Sequence, residues 1–142
     1  MNCEACRAGA QTLTDSEIAQ LQRQVPNWSV VERNGIKRVE RNFRFKNFAE
    51  ALAFTNKVAR IAEEEGHHPA ILTEWGRVFV AWWTHKIRGL HQNDFVMAAR
   101  TDREYREWHR EPGKHYIDIK HELETAGRAP KPSFRRRDEV AS

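Results

Sequence analysis

Between Trp28 and Phe45 the chain has to double back at Asn34-Gly35. No dipeptide better tolerates the two positive φ angles at the centre of a tight hairpin. Trp28 to Arg33 reads as a short strand on one side of it. On the other side Val39, Phe43 and Phe45 share one parity with charged residues between them, so one face of that strand is apolar. A second reversal, at Gly76, separates Ile71–Trp75 from the β-branched and aromatic stretch Val78–Thr84. Two hairpins of this kind favour an antiparallel sheet with helices on one face.

The segments between the hairpins carry helix signals. Thr14-Asp15-Ser16-Glu17 spells a capping box, in which the Thr14 hydroxyl and the Glu17 carboxylate each satisfy an orphan backbone N–H. Ile18, Leu21 and Val25 follow on one face, and Pro26 is expected to stop that helix. Asn47 caps a second helix with Glu50 at its third position. Phe48, Ala51, Leu52, Val58, Ile61 and Ala62 recur at threes and fours, and Gly66 terminates it. Gly89-Leu90 leads into a third helix from about Asn93, carrying Phe95, Val96, Ala98 and Ala99. The expected fold is α+β and two-layer, an antiparallel sheet packed by helices in αββαββα order with a C-terminal extension.

A chain of 142 residues, 39% hydrophobic and 31% charged, suits one domain with a substantial core. The formal net charge of +4 is concentrated at one end. Arg128, Lys131, Arg135, Arg136 and Arg137 against Asp138 and Glu139 place +3 of it in residues 128–142, which leaves +1 for the first 127. The body is therefore no basic platform, and specific nucleic-acid reading is not expected. No apolar run of about 18 residues suits a membrane span, and MNCEACRAGA lacks the apolar stretch of a secretory signal, so the expected location is cytoplasmic. Cys3 and Cys6 form a single C-x-x-C with no second pair to complete a zinc site, and are expected to be a mobile, reduced pair. Beyond the break at Pro112-Gly113, Tyr116, Ile119 and Leu123 align on one face of a short helix ending at Gly127. The Pro- and Arg-rich residues 128–142 are expected to be disordered.

The chemistry concentrates in residues 63–94. His67 and His68 follow a helix terminator and precede Pro69, which biases His68 towards extended geometry. Adjacent extended side chains diverge, which favours two imidazoles serving different parts of one pocket over a single metal gripped by both. His85 lies at or just past the end of a strand, where a sheet rim would expose it. Taken singly, each histidine is as well read as a satisfied surface residue, and Asp94 as a first-turn charge on its helix dipole. Taken together, three histidines and a carboxylate that can fix an imidazole tautomer, with no nearby serine or cysteine nucleophile, suit paired acid and base work near neutral pH. In such an elimination one group protonates a departing oxygen while another removes a nearby proton.

Glu63-x-x-x-His67-His68-Pro69, the aromatic Trp75, Thr84-His85, Gly89-Leu90 and Asp94 together closely resemble the pterin-4a-carbinolamine dehydratases. Asn42-Phe43-Arg44-Phe45-Lys46-Asn47-Phe48 is similar to the family's aromatic strand leading into its first long helix, and Pro26-Asn27-Trp28 to its opening strand. The likeness covers about residues 12 to 104. It implies an αββαββα fold and dehydration of a 4a-hydroxytetrahydropterin to the quinonoid dihydropterin, with no metal and no organic cofactor. It further implies a functional link to a pterin-dependent aromatic amino-acid hydroxylase and a homodimer or homotetramer. By position it makes His67 and His85 the acid/base groups, with Asp94 as their supporting acceptor. His68 becomes a pterin-binding and proton-transferring partner, with Glu63 and Trp75 also at the substrate.

Two departures stand out. Where the family opens its third helix with a serine or threonine cap, this chain has His91, expected to cap poorly and to add a fourth imidazole. The chain also continues past about Tyr105, where family members usually end. The implied organisation is a mobile segment over 1–11, a dehydratase-like domain over 12–105, an extension over 106–127 and a basic tail over 128–142. Two other classes compete with the enzyme: a dehydratase-like scaffold serving as a protein-binding or assembly module, and a metal protein using His67, His68, His85 and His91.

Overall fold

The computed structural model describes residues 11–110. The expectations for Cys3 and Cys6, for the helix at Tyr116, Ile119 and Leu123, and for residues 128–142 lie outside them. The fold is the expected α+β one. It runs α1 (Asp15–Gln22), β1 (Ser29–Arg33), β2 (Ile36–Arg44), α2 (Phe48–Glu65), β3 (Ala70–Glu74), β4 (Arg77–Trp82), a 3-10 turn (His85–Ile87) and α3 (Gln92–Arg110). The four strands form one antiparallel sheet in the order β1-β2-β4-β3. Each hairpin is local in sequence. The seam between them is the β2–β4 pair, with Val39 opposite Trp82 and Phe43 opposite Val78.

Turn chemistry works as the sequence reads. Arg33 pairs with Ile36, so Asn34 (φ 53°) and Gly35 (φ 78°) alone make the first turn, both left-handed. At Gly76 (φ 70°) a Cβ would meet the Phe45 carbonyl oxygen at 2.9 Å, so this position needs glycine for space as well as for angle. The caps of α1 and α2 form as expected. Glu17 N–H donates to the Thr14 hydroxyl at 3.2 Å, Thr14 N–H returns to the Glu17 carboxylate at 3.0 Å, and Glu50 N–H reaches Asn47 Oδ1 at 2.9 Å. Pro26 does not end α1. The helix stops at Gln22, four residues earlier, because Gln24 and Val25 turn back onto the carbonyls of Leu21 and Gln22. That turn, rather than a longer helix, delivers Val25 to the core.

The core lies between one sheet face and the helices. Val39, Phe43, Val78, Val80 and Trp82 meet Phe54, Val58 and Ile61 of α2 and Phe95, Ala98 and Trp108 of α3. Phe43, Phe45, Phe54, Tyr105 and Trp108 pack edge-on and tilted with ring centroids 4.9–6.5 Å apart. Trp108 enters this core from the stretch of α3 beyond residue 105. A polar tie crosses the layers where Asp102 accepts from Trp28 Nε1 (2.8 Å) and Arg41 Nη1 (2.5 Å), and the Arg41 guanidinium lies over Phe43 and Tyr105. Among the described residues no helix is long and apolar enough to cross a membrane.

Candidate active site

The candidate site lies beyond the C-terminus of α2, where residues 66–68 and 84–86 line one cavity. Gly66 closes that helix in the left-handed region (φ 62°), its N–H returning to Ala62 and Glu63, and beyond it His67 is buried and His68 exposed. The two imidazoles part, as adjacent extended residues should. His67 turns inward, only 4% exposed, with Nε2 2.5 Å from Asp94 Oδ1 and its ring stacked on Trp82 at 5.7 Å. His68 turns outward and places Nε2 3.1 Å from the carboxylate of Glu63, itself solvent-exposed. A pair in water holds geometry weakly.

Asp94, fully buried on the first turn of α3, is the fixed point of the site. Its Oδ1 faces His67, and its Oδ2 accepts from the Thr84 hydroxyl at 2.9 Å and from the His91 backbone N–H at 2.8 Å. A buried carboxylate must be matched by donors, and these three match it. Because a carboxylate only accepts, His67 presents a proton on Nε2. His91 corrects the expectation of a poor cap. Its Nδ1 accepts from Asn93 N–H at 3.3 Å while the Asp94 carboxylate accepts from its backbone N–H, so imidazole and aspartate each satisfy an amide at the start of α3.

His85 opens the 3-10 turn that follows β4. Its Nε2 lies 3.2 Å from the carbonyl oxygen of His68, which can only accept, so Nε2 carries the proton and Nδ1 is the acceptor of that ring. Trp83 packs against it at 4.4 Å between centroids. His67, His68 and His85 line one cavity of about 360 Å³ together with Gly66, Thr84 and Lys86. Its base is imidazole backed by carboxylate, and its rim is cationic at Lys86.

Trp75 stands elsewhere. It is 74% exposed on the β3–β4 turn, at the opposite end of β4 from His85, and it does not line this cavity. Thr84 and Lys86 are site residues to which the sequence reading gives no role. Their adjacency to His85 was the available signal. The four-histidine metal arrangement does not assemble: His67 and His68 face different carboxylates, His91 caps α3, and among the described residues no three His, Cys, Asp or Glu side chains are placed to share an ion.

The family model of pterin 4 alpha carbinolamine dehydratase matches residues 11–104. The chain is similar to the crystal structure of a transcriptional coactivator/pterin dehydratase from Brucella melitensis, with 32% identity, a TM-score of 0.62, and coverage of 67% of this chain and 99% of that one. A pterin dehydratase-like protein identified as a RuBisCO assembly factor in the alpha-carboxysome matches more loosely, at 22% identity and a TM-score of 0.47 over 56% of this chain and 89% of that one. On the span of the family match, the chain belongs to the pterin 4 alpha carbinolamine dehydratase family.

Proposed function

We propose that this protein dehydrates a 4a-hydroxytetrahydropterin to the quinonoid dihydropterin, with His67 and His85 as its acid/base pair. The observation that carries the reading is that both imidazoles line one cavity with Nε2 already engaged, His67 by buried Asp94 and His85 by the His68 carbonyl. In the elimination one imidazole protonates the hydroxyl on the carbinolamine carbon and the other takes the proton from the adjacent ring nitrogen. The C–O bond breaks, the nitrogen lone pair forms the C=N bond, and water leaves. Asp94 balances the charge that His67 carries when protonated. His68, beside the exposed Glu63 carboxylate, contacts the pterin and relays protons to solvent. The same reading includes a pterin-dependent hydroxylase as supplier of the substrate, cytoplasmic residence and a homodimer or homotetramer.

Turnover of synthetic carbinolamine tests it. Replacing His67 or His85 by alanine should lower kcat by about 10²-fold or more, the size of a positioned acid/base contribution. Activity should survive exhaustive chelation, since this elimination needs no Lewis acid. Near-wild-type rates in the double variant would sink the assignment, and activity lost to chelator and restored only by zinc would replace it with a metal mechanism. A second reading, a protein-binding module, is favoured by Phe48 and Leu52, two exposed apolar side chains one turn apart on α2, and by the coactivator description of the Brucella relative. A partner that binds through Phe48 and Leu52 and ignores the His67 and His85 variants would support it.

A further inference from the structure

We infer that Thr84 is the positioning residue that holds His67 and His85, two of the cavity's three imidazoles, in register, its side chain acting on His67 through Asp94 and its backbone on His85. The inference deepens the dehydratase reading and rests on it for its kinetic consequence. Thr84 is 2% exposed, and its hydroxyl is committed to Asp94 Oδ2 at 2.9 Å, so it acts through other groups.

A carboxylate turns about a broad, roughly two-fold terminal torsion. How squarely the carboxylate faces His67 is therefore decided by the donors on its other oxygen. There are two. The His91 N–H belongs to the cap of α3 itself and travels with that helix. Thr84 belongs to the chain leaving β4, so its hydroxyl is the donor that fixes the start of α3 against the sheet. Trp82, two residues earlier, carries the His67 ring. The backbone of Thr84 does a second task. Its N–H donates to the Gly89 carbonyl at 2.9 Å and its carbonyl accepts from Gly89 N–H at 3.4 Å, forming an isolated bridge. That bridge closes the loop containing the His85–Ile87 turn and the left-handed Arg88 (φ 51°). One residue thus ties the neighbour in sequence, His85, and the neighbour in space, Asp94, to the same point of the sheet.

Thr84→Val and Thr84→Ser separate shape from donor. Valine keeps the branched volume and removes the O–H, whereas serine keeps the O–H. Losing a hydrogen bond to a charged acceptor predicts a fall in kcat of roughly tenfold to a hundredfold for Thr84→Val, with KM moved by no more than about twofold. Thr84→Ser should restore most of the rate. A readout independent of turnover is ¹⁵N NMR of the histidine side chains at neutral pH. Wild type and Thr84→Ser should show one His67 tautomer protonated at Nε2, and Thr84→Val a mixture. Should the valine variant fail to fold, Thr84→Cys, with its weak S–H donor, takes its place and is expected to fall between the two. Wild-type kcat together with a wild-type His67 signature in folded Thr84→Val would overturn the inference. If wild-type protein shows no carbinolamine turnover, the dehydratase reading fails, and the NMR comparison alone decides whether Thr84 positions His67.

Discussion

His91 shows how a residue type can be misjudged when propensity stands in for atoms. Cap preferences favour serine, threonine, aspartate and asparagine because each offers a short acceptor to the next two or three amides. A neutral imidazole offers one as well, at Nδ1, when its ring folds back onto Asn93 N–H. His91→Ala should therefore cost about 1 kcal/mol of stability, the usual value of a cap, with His91→Ser recovering most of it. Chemical denaturation of the three proteins at neutral pH checks this, and an alanine variant as stable as wild type would show that the ring is idle. The site was legible in the sequence where spacing alone decides: His67, His68, His85 and Asp94 are recognisable as a set. Thr84 was not, since its importance lies in a contact with a residue ten positions away, and only the closed β4–α3 corner brings the two together. Trp75 shows the converse, an aromatic at a recognisable position that the hairpin carries to the far end of β4 from this cavity.

Among the elements, α1 is the one whose stability follows pH most directly. Its eight residues are too few to be stable alone, so its caps and its partners matter. The Lys37 ammonium, by hydrogen bond first and by charge second, holds the Asp15 carboxyl below its ordinary value. The Thr14 backbone N–H, and then its hydroxyl, does the same for Glu17. Carboxyls depressed in this way contribute fully above their unfolded values, near pH 4, and lose that contribution as pH falls through the lower folded values. Protection of the α1 amides from hydrogen exchange, corrected for intrinsic rates, should therefore fall between pH 5 and pH 2, as α1 loosens before the sheet. Equal loss in α1 and in β4 would contradict this. The element order was readable because caps, turns and parity agree at each boundary. The end of α1 was not, because Pro26 is an obvious stop and the earlier turn at Gln22 has no comparable mark.

At the scale of the molecule, the layers are held by apolar packing and by buried polar ties, of which the Asp102 cluster is charged on both sides. Arg41 of β2 and Asp102 of α3 are both largely buried, and Asp102 also receives the indole N–H of Trp28. Removing one partner strands the other, so Asp102→Ala should destabilise by about 3 kcal/mol or more in urea unfolding. A loss below about 1 kcal/mol would mean that Arg41 finds water instead. The β2–β4 seam has a further consequence, for folding fidelity. Both hairpins can form from neighbouring residues, whereas the seam joins segments some forty positions apart and closes late. A slip of one residue there would send every side chain of one hairpin to the wrong face. Helix and strand content would survive almost unchanged. Trp82, however, would leave Val39 and the core, and the His67 ring would lose the surface it rests on. The seat of the His67 ring on Trp82 is thus a local record of strand register, one that helix and strand content alone does not carry.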